Sequence, residues 1–160
     1  IGEENKGFEY LIHSLNPERI LIAAEAIGMG RNALNRAVSY AKDRVVFGRS
    51  IGKNQSIQHP LAKNWIELEA ADLLMLKAAY QYDQGHSSGG LANAAKYFAA
   101  EACFQAAHDA IITLGGMGYA KDFHVERLMR ESMIPKLAPI SSQMILNYIA
   151  ERILGFPKSY

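Results

Sequence analysis

Between residues 20 and 41, apolar side chains return every three or four positions, at Ile20, Ala23, Ala24, Ile27, Leu34, Val38 and Ala41, with no proline to break the run. That spacing lays one apolar stripe along a single helical face and leaves no strand period to adopt. Asn16-Pro17-Glu18-Arg19 stands just upstream and reads as a helix start. Asn is a favoured N-cap, Pro is tolerated at the first helical position, and Glu suits the first turn. With Gly48 as terminator, this helix would run about 45 Å at 1.5 Å per residue.

The same period recurs over residues 56–84 through Ile57, Leu61, Trp65, Leu68, Ala71, Leu74 and Ala78, with Pro60 expected in the first turn. A loop, Gly85-His86-Ser87-Ser88-Gly89-Gly90, separates it from an alanine-rich third run over 91–114 that Gly115-Gly116 ends. Shorter helices are expected over 123–133 and 141–154, the last capped by Ser141-Ser142 and closed by Gly155-Phe156-Pro157. No segment alternates as a strand, and no internal repeat is present. The expected fold is all-α: an up-and-down antiparallel helical bundle of three long helices closed by a fourth.

A chain of 160 residues is about one domain, and 49% hydrophobic against 21% charged residues suits a soluble globular one. The net charge of +1 gives no electrostatic basis for binding nucleic acid or an anionic membrane. No apolar run approaches the length of a membrane span. The single cysteine, Cys103, excludes an internal disulfide, fits a reducing compartment, and is expected buried on a helix. His13, His59, His86, His108 and His124 show no metal spacing, so no metal is expected. The opening Ile1-Gly2-Glu3-Glu4-Asn5-Lys6-Gly7-Phe8 has no initiator Met and begins in turn chemistry, as in a piece of a longer chain.

Arg44 and Phe47 fall a turn apart at the end of the first long run. One reading is a cation near the negative end of a helix with an aromatic packed beneath it. The other is a guanidinium pairing a pyrophosphate, with the ring against a flat heterocycle. Gly115-Gly116-Met117-Gly118-Tyr119 divides in the same way, between a helix cap with its turn and backbone amides open to phosphate. A helix precedes it, so it is not a Rossmann fingerprint.

Taken together, Arg44-Val45-Val46-Phe47-Gly48, Gln55 and the distant Gly-Gly-x-Gly-Tyr turn resemble the C-terminal helical domain of the flavin-dependent acyl-CoA dehydrogenases. The resemblance runs from Gly2 to about Glu151 and includes Glu126-Arg127-x-x-Arg130-Glu131. It implies FAD as cofactor, bound across a subunit interface by Arg44, Phe47, Gln55, Gly115 and Gly116. Ile112 departs from the pattern, standing where many members carry a cofactor-contacting glutamine. The resemblance further implies an acyl-CoA substrate oxidised to its trans-2-enoyl form, an electron-transfer acceptor, and a homotetramer centred on these bundles. The location implied is the cytoplasm in a bacterium or the mitochondrial matrix in a eukaryote. Residues 1–15 would be the tail of an upstream β-domain or linker, and 16–160 the helical domain.

Most of the family places its catalytic glutamate in a loop before the last helix. A gapless match from Arg130 to Gln143 puts Leu137-Ala138-Pro139-Ile140-Ser141 there, and Pro139 replaces the carboxylate. The isovaleryl-CoA and long-chain types instead use a Glu-Arg pair near the start of the first long helix, which here is Glu18-Arg19. This implies Glu18 as the base and Arg19 as a neighbour shaping the substrate site. Glu25, two turns further on, is the other candidate for the base. In the family, the backbone N–H at the usual glutamate position helps polarise the thioester carbonyl, and proline has none. A one-residue shift of the loop would restore an amide through Ile140. Two alternatives remain at this stage: a flavoprotein of altered chemistry (an oxidase or non-dehydrogenase), and a cofactor-free helical interaction module.

Overall fold

The computed structural model describes residues 2–159. Its first helix, α1 (Gly7–Asp43), starts at Gly7, not at Asn16, and passes through Pro17. Proline there removes the donor that the His13 carbonyl would have used, but His13 is exposed and water can serve it. Asn16 does not cap the helix; its side-chain oxygen accepts from Arg19 Nη1 at 2.9 Å. At the other end α1 stops at Asp43, with extended Arg44 as the cap and its N–H on the Tyr40 carbonyl at 2.9 Å.

Gly48, expected to end this helix, instead turns a hairpin of β1 (Val45–Val46) and β2 (Arg49–Ser50), paired Val45 to Ser50 and Val46 to Arg49. Phe47 and Gly48 form its two-residue loop, at φ of 52° and 75°. Positive φ at both positions is the geometry of a type I′ turn. Phe47 is thus off the helix. Ser50 fastens the hairpin by donating its Oγ to the Ala41 carbonyl at 2.7 Å.

A short 3-10 turn (Ile51–Lys53) leads into α2 (Gln55–Asp83), where Pro60 falls in the second turn, not the first. The third long helix is α3 (Gly89–Leu114), ended by Gly115 at φ 60°. The fourth side is broken into pieces: α4 (Gly116–Tyr119), α5 (Val125–Glu131), α6 (Ile134–Leu137) and α7 (Ser142–Tyr148) with a π turn at Ile149–Ile153. Pro135 and Pro139 deny this stretch the continuous donors of a long helix. Ser141 does cap α7, its Oγ accepting from Met144 N at 3.4 Å.

Cross-helix contacts set the directions. Arg31 Nη2 reaches Glu69 and Asp72 at 2.7 and 2.9 Å, and His13 lies against Tyr82, so α2 runs antiparallel to α1. Gly30 sits beside Cys103, and Tyr40 meets Phe123 edge-on at 5.8 Å, so α1 and α3 run the same way. The bundle is all-α, and the hairpin is the strand structure among the described residues. Among the described residues no helix is long and apolar enough to cross a membrane.

The core is built of small residues. Ala23, Ala26, Ala33 and Ala37 of α1 are fully buried, as are Ala92, Ala95, Ala99, Ala106 and Ala110 of α3, with Leu68 of α2 between them. A Cβ on Gly30 would stand 2.6 Å from Leu68 Cδ2 and 3.2 Å from the Cys103 Cα. Cys103 is fully buried on α3, and burial pushes its thiol up to about 12, so it is an inert packing residue. Leu68 is the largest apolar side chain in this layer, and such packing relaxes little around a void. Leu68→Ala is expected to lower the unfolding free energy by about 2–5 kcal/mol, read from urea denaturation.

Candidate functional site

Because α1 and α3 run together, the bundle has two functional ends. The first half of α1, the loop at 84–88, the 138–141 segment and α7 meet at one end. The hairpin, Gln55 and the Gly115–Tyr119 turn gather at the other, tied by Ser50 to Ala41 and by Arg36 Nη1 to the Phe123 carbonyl at 3.4 Å.

The first end holds a cleft of about 850 Å³. Phe8, Ile12, Tyr82 and Met144 give it apolar walls, Asp83, Glu151 and Arg152 its charge, with Arg152 paired to Glu151 at 3.2 Å, and Pro139 and Ile140 one side. The Ala138–Pro139 peptide is cis. Arg19 lies in the floor, only 6% exposed, and its guanidinium is lowered from its ordinary value by burial, with Tyr148 and Glu18 opposing. Asn93 is also buried there and donates its amide to the Gly89 carbonyl at 2.8 Å. Arg19 Nε and Asn93 Oδ1 are buried with no hydrogen-bond partner. Such orphans are uncommon in buried positions.

Glu18 and Arg19 part company in space. Arg19 points under the cleft, whereas Glu18 is exposed on the outer side of α1. Glu18, Leu21, Glu25 and Gly28 follow one another at three- and four-residue steps, and all four are exposed, Leu21 by 69%. These positions share one helix face, so the two candidate carboxylates flank a leucine on a stripe that nothing in the described chain covers.

Lys96 is the residue that the sequence reading did not single out. It stands among alanines on α3 with none of its surface exposed, and its Nζ donates to the Ile140 carbonyl at 2.5 Å. Burial, reinforced by Arg19 and opposed by Glu101, lowers it to about 8. A lysine and an asparagine interrupting an alanine run were the available signal. Elsewhere Asp109 ties α3 to α2 by accepting from Asn64 at 3.0 Å and from Gln105 at 2.9 Å. Burial alone would push that carboxyl up, but bonds from Gln105, Asn64 and His108 hold it below its ordinary range.

At the far end the side chains of the expected cofactor residues are exposed. Arg44 and Gln55 are exposed and their side chains make no hydrogen bond or ion pair among the described residues, and Phe47 is fully exposed. A non-glycine residue at positive φ costs free energy, and this ring recovers none by packing within the chain. The glycines of the turn separate by role. Gly115 takes the left-handed cap, and a Cβ on Gly118 would lie 2.6 Å from the Ile111 carbonyl oxygen. Gly116 has neither constraint, and a Cβ there would meet nothing. Ile112 is exposed beside it. The Glu126–Arg130 and Arg127–Glu131 ion pairs form on α5, the second at 3.1 Å. No group of histidine, cysteine and carboxylate side chains suited to a metal occurs among the described residues.

Residues 5–154 match the acyl-CoA dehydrogenase C-terminal domain, and the chain belongs to the acyl-CoA dehydrogenase family. The acyl-CoA dehydrogenase fadE12 of Mycobacterium bovis is 46% identical over the whole chain, and the 3-(aryl)acrylate reductase of Clostridium sporogenes is 42% identical over 96% of it. The chain covers 42% and 41% of those two proteins, well under half of their length. The butyryl-CoA dehydrogenase of Megasphaera elsdenii superposes on 96% of the chain with a TM-score of 0.93 at 35% identity, the chain covering 40% of it.

Lys96 makes stability depend on pH. Its folded-state value near 8 lies below the ordinary 10.5, so over that interval the unfolded chain holds more protons and stability rises with pH. Relative to Lys96→Met, the native protein should gain up to about 3 kcal/mol between pH 8 and 10.5, measured by denaturation at each pH.

Proposed function

We propose that the protein carrying this domain is an FAD-dependent acyl-CoA dehydrogenase that converts an acyl-CoA to its trans-2-enoyl form and passes electrons to a separate acceptor. The observation that carries this reading is the hairpin: Arg44, Phe47 and Gln55 lie around a turn with Phe47 at positive φ, and their side chains are exposed with no hydrogen bond or ion pair among the described residues. The residues present fit a flavin dinucleotide. Arg44 offers a bidentate donor to a phosphate, Phe47 an open ring face, Gln55 an amide, and Gly116 an unobstructed main chain. The flavin, when bound, supplies the hydride acceptor.

Glu18 is the proposed base, with Glu25 as the weaker candidate. Its carboxylate takes the α-proton of the thioester, and Leu21 on the same stripe gives the acyl chain an apolar surface. Arg19 and the cleft beside it receive the polar part of the substrate. Along α1, Glu18 and Arg44 lie roughly 39 Å apart at 1.5 Å per residue. A cofactor bound at the hairpin therefore serves the base of another subunit, not the one on its own helix. That requires an oligomer, and we assign a homotetramer with these bundles at its centre. The exposed Trp65, Ile66, Leu73, Leu76 and Tyr80 along α2 support such an assembly.

Pro139 favours a second reading, a family member with altered chemistry, since it stands where the usual carboxylate would be. The Clostridium relative named as a 3-(aryl)acrylate reductase shows that sequences this similar include a reductase. In the full-length protein, Glu18→Gln should retain FAD and lose about 10²–10⁴ in kcat with an acyl-CoA panel and an artificial electron acceptor. Undiminished turnover would remove Glu18 as base, and no flavin bleaching with any acyl-CoA would favour the altered chemistry. Arg44→Ala should release FAD on gel filtration without unfolding the bundle. FAD content unchanged from wild type would count against the hairpin as its seat.

A further inference from the structure

His108 is an exposed histidine whose orientation is fixed from within the bundle. Its Nδ1 lies 3.1 Å from Asp109 Oδ1, and that carboxylate also accepts from Gln105 at 2.9 Å and from Asn64 at 3.0 Å. Asn64 reaches it from α2 with none of its own surface exposed, and its Oδ1 is buried without a partner. Burial opposes ionisation of Asp109, but bonds from Gln105, Asn64 and His108 outweigh it and keep the carboxylate charged. A histidine–carboxylate pair at the surface contributes little to stability, and a buried amide oxygen left unmet detracts from it. What the network secures is the ring. A charged carboxylate only accepts, so Nδ1 carries the proton and Nε2 of the neutral imidazole is left as an acceptor. Nε2 makes no hydrogen bond among the described residues.

His108 and Ile112 are four residues apart on one face of α3, and Gly116 begins the turn just past its end. At 1.5 Å per residue, His108 stands about 9 Å from that end. Ile112 is 65% exposed, the His108 side chain 49%, and a Cβ on Gly116 would meet nothing. Three open positions therefore succeed one another from the hairpin end: bare main chain, apolar surface, then a hydrogen-bond acceptor. A dinucleotide with its phosphates at Arg44 and Gly116 has this surface beside it for the rest of its length. An isoleucine suits the face of a flat base better than it suits a ribose or a phosphate. An acceptor beyond it suits a base that bears an amino group, as adenine does.

We infer that His108 binds the adenine of FAD, its Nε2 accepting a hydrogen bond from the exocyclic amino group while Ile112 packs against the ring. Asp109 and Asn64 are positioning residues, since they reach the base only through His108. This inference rests on the reading of the hairpin end as the flavin seat given above.

The test uses the full-length protein stripped of flavin, titrated calorimetrically with FAD and with its hypoxanthine analogue, in which an oxygen replaces the amino group. The native protein should bind FAD about 10-fold more tightly than the analogue. His108→Phe keeps a ring at this exposed position but offers no acceptor, and should bind the two dinucleotides alike. His108→Gln, whose carbonyl can still accept, should recover part of the preference. Asp109→Asn should also lower the preference. A merely structural role for Asp109 would weaken both dinucleotides equally and leave their ratio unchanged, which would overturn its part in the inference. A preference that persists undiminished in His108→Phe overturns the inference and leaves the flavin seat intact. Equal native affinity for the two dinucleotides does the same. A native protein that binds neither overturns the hairpin reading as well.

Discussion

Everything in this domain depends on how closely α1 and α3 approach. Gly30 against the Cys103 main chain, with buried alanines above and below, lets the two backbones come together with almost no side chain between them. Packing of this kind gains dispersion over a long seam but has no slack, which is why the seam tolerates so few large residues. It also fixes direction. With α1 and α3 running in parallel, their C-terminal ends must lie together, and so must the N-terminal end of each. The cofactor-type residues and the cleft are sorted to opposite ends by that single constraint.

Much of this was legible in the chain because the helices are long. Over 37 residues in α1, a 3.6-residue period repeats often enough to overwhelm local exceptions. Pro17 shows where such reasoning falls short. Asn-Pro-Glu has every local mark of a helix start, yet the helix passes through it, because the lost bond falls on the exposed side, where water replaces it. The hairpin left no period to detect, since its strands have two residues each. Its turn was visible only as a glycine, which served equally well as the end of a helix. The fourth side failed differently: Pro135 and Pro139 were in plain view, but an apolar pattern spanning them looks the same whether the backbone continues or breaks.

The site divides along similar lines. Arg44, Phe47, Gln55 and Gly116 stood out in the sequence because their types are hard to justify in a core, and the structure leaves Arg44, Phe47 and Gln55 exposed and Gly116 open to a Cβ. Glycine clusters are ambiguous in sequence, and the fold resolves this one position by position: Gly115 turns the chain, Gly118 admits a carbonyl, and Gly116 has no internal duty. Lys96 and Asn93 were missed for the opposite reason. A single polar residue in an alanine-rich helix is ordinarily a solvent-facing one, and only the arrangement of helices shows that this face is closed.

Pro139 carries neither a charge nor a main-chain N–H, so nothing within it can orient a substrate. The order that remains comes from α3, through Lys96 on one side and Glu101 on the other. A buried ammonium is a costly way to hold a loop, and here it holds the segment at Ile140 against α3. With the proposed base on α1 and the cleft wall pinned to α3, the parts of the site move only as the seam between those helices moves. The seam of buried small residues is closely packed, and it sets the geometry across which the proposed proton transfer would run.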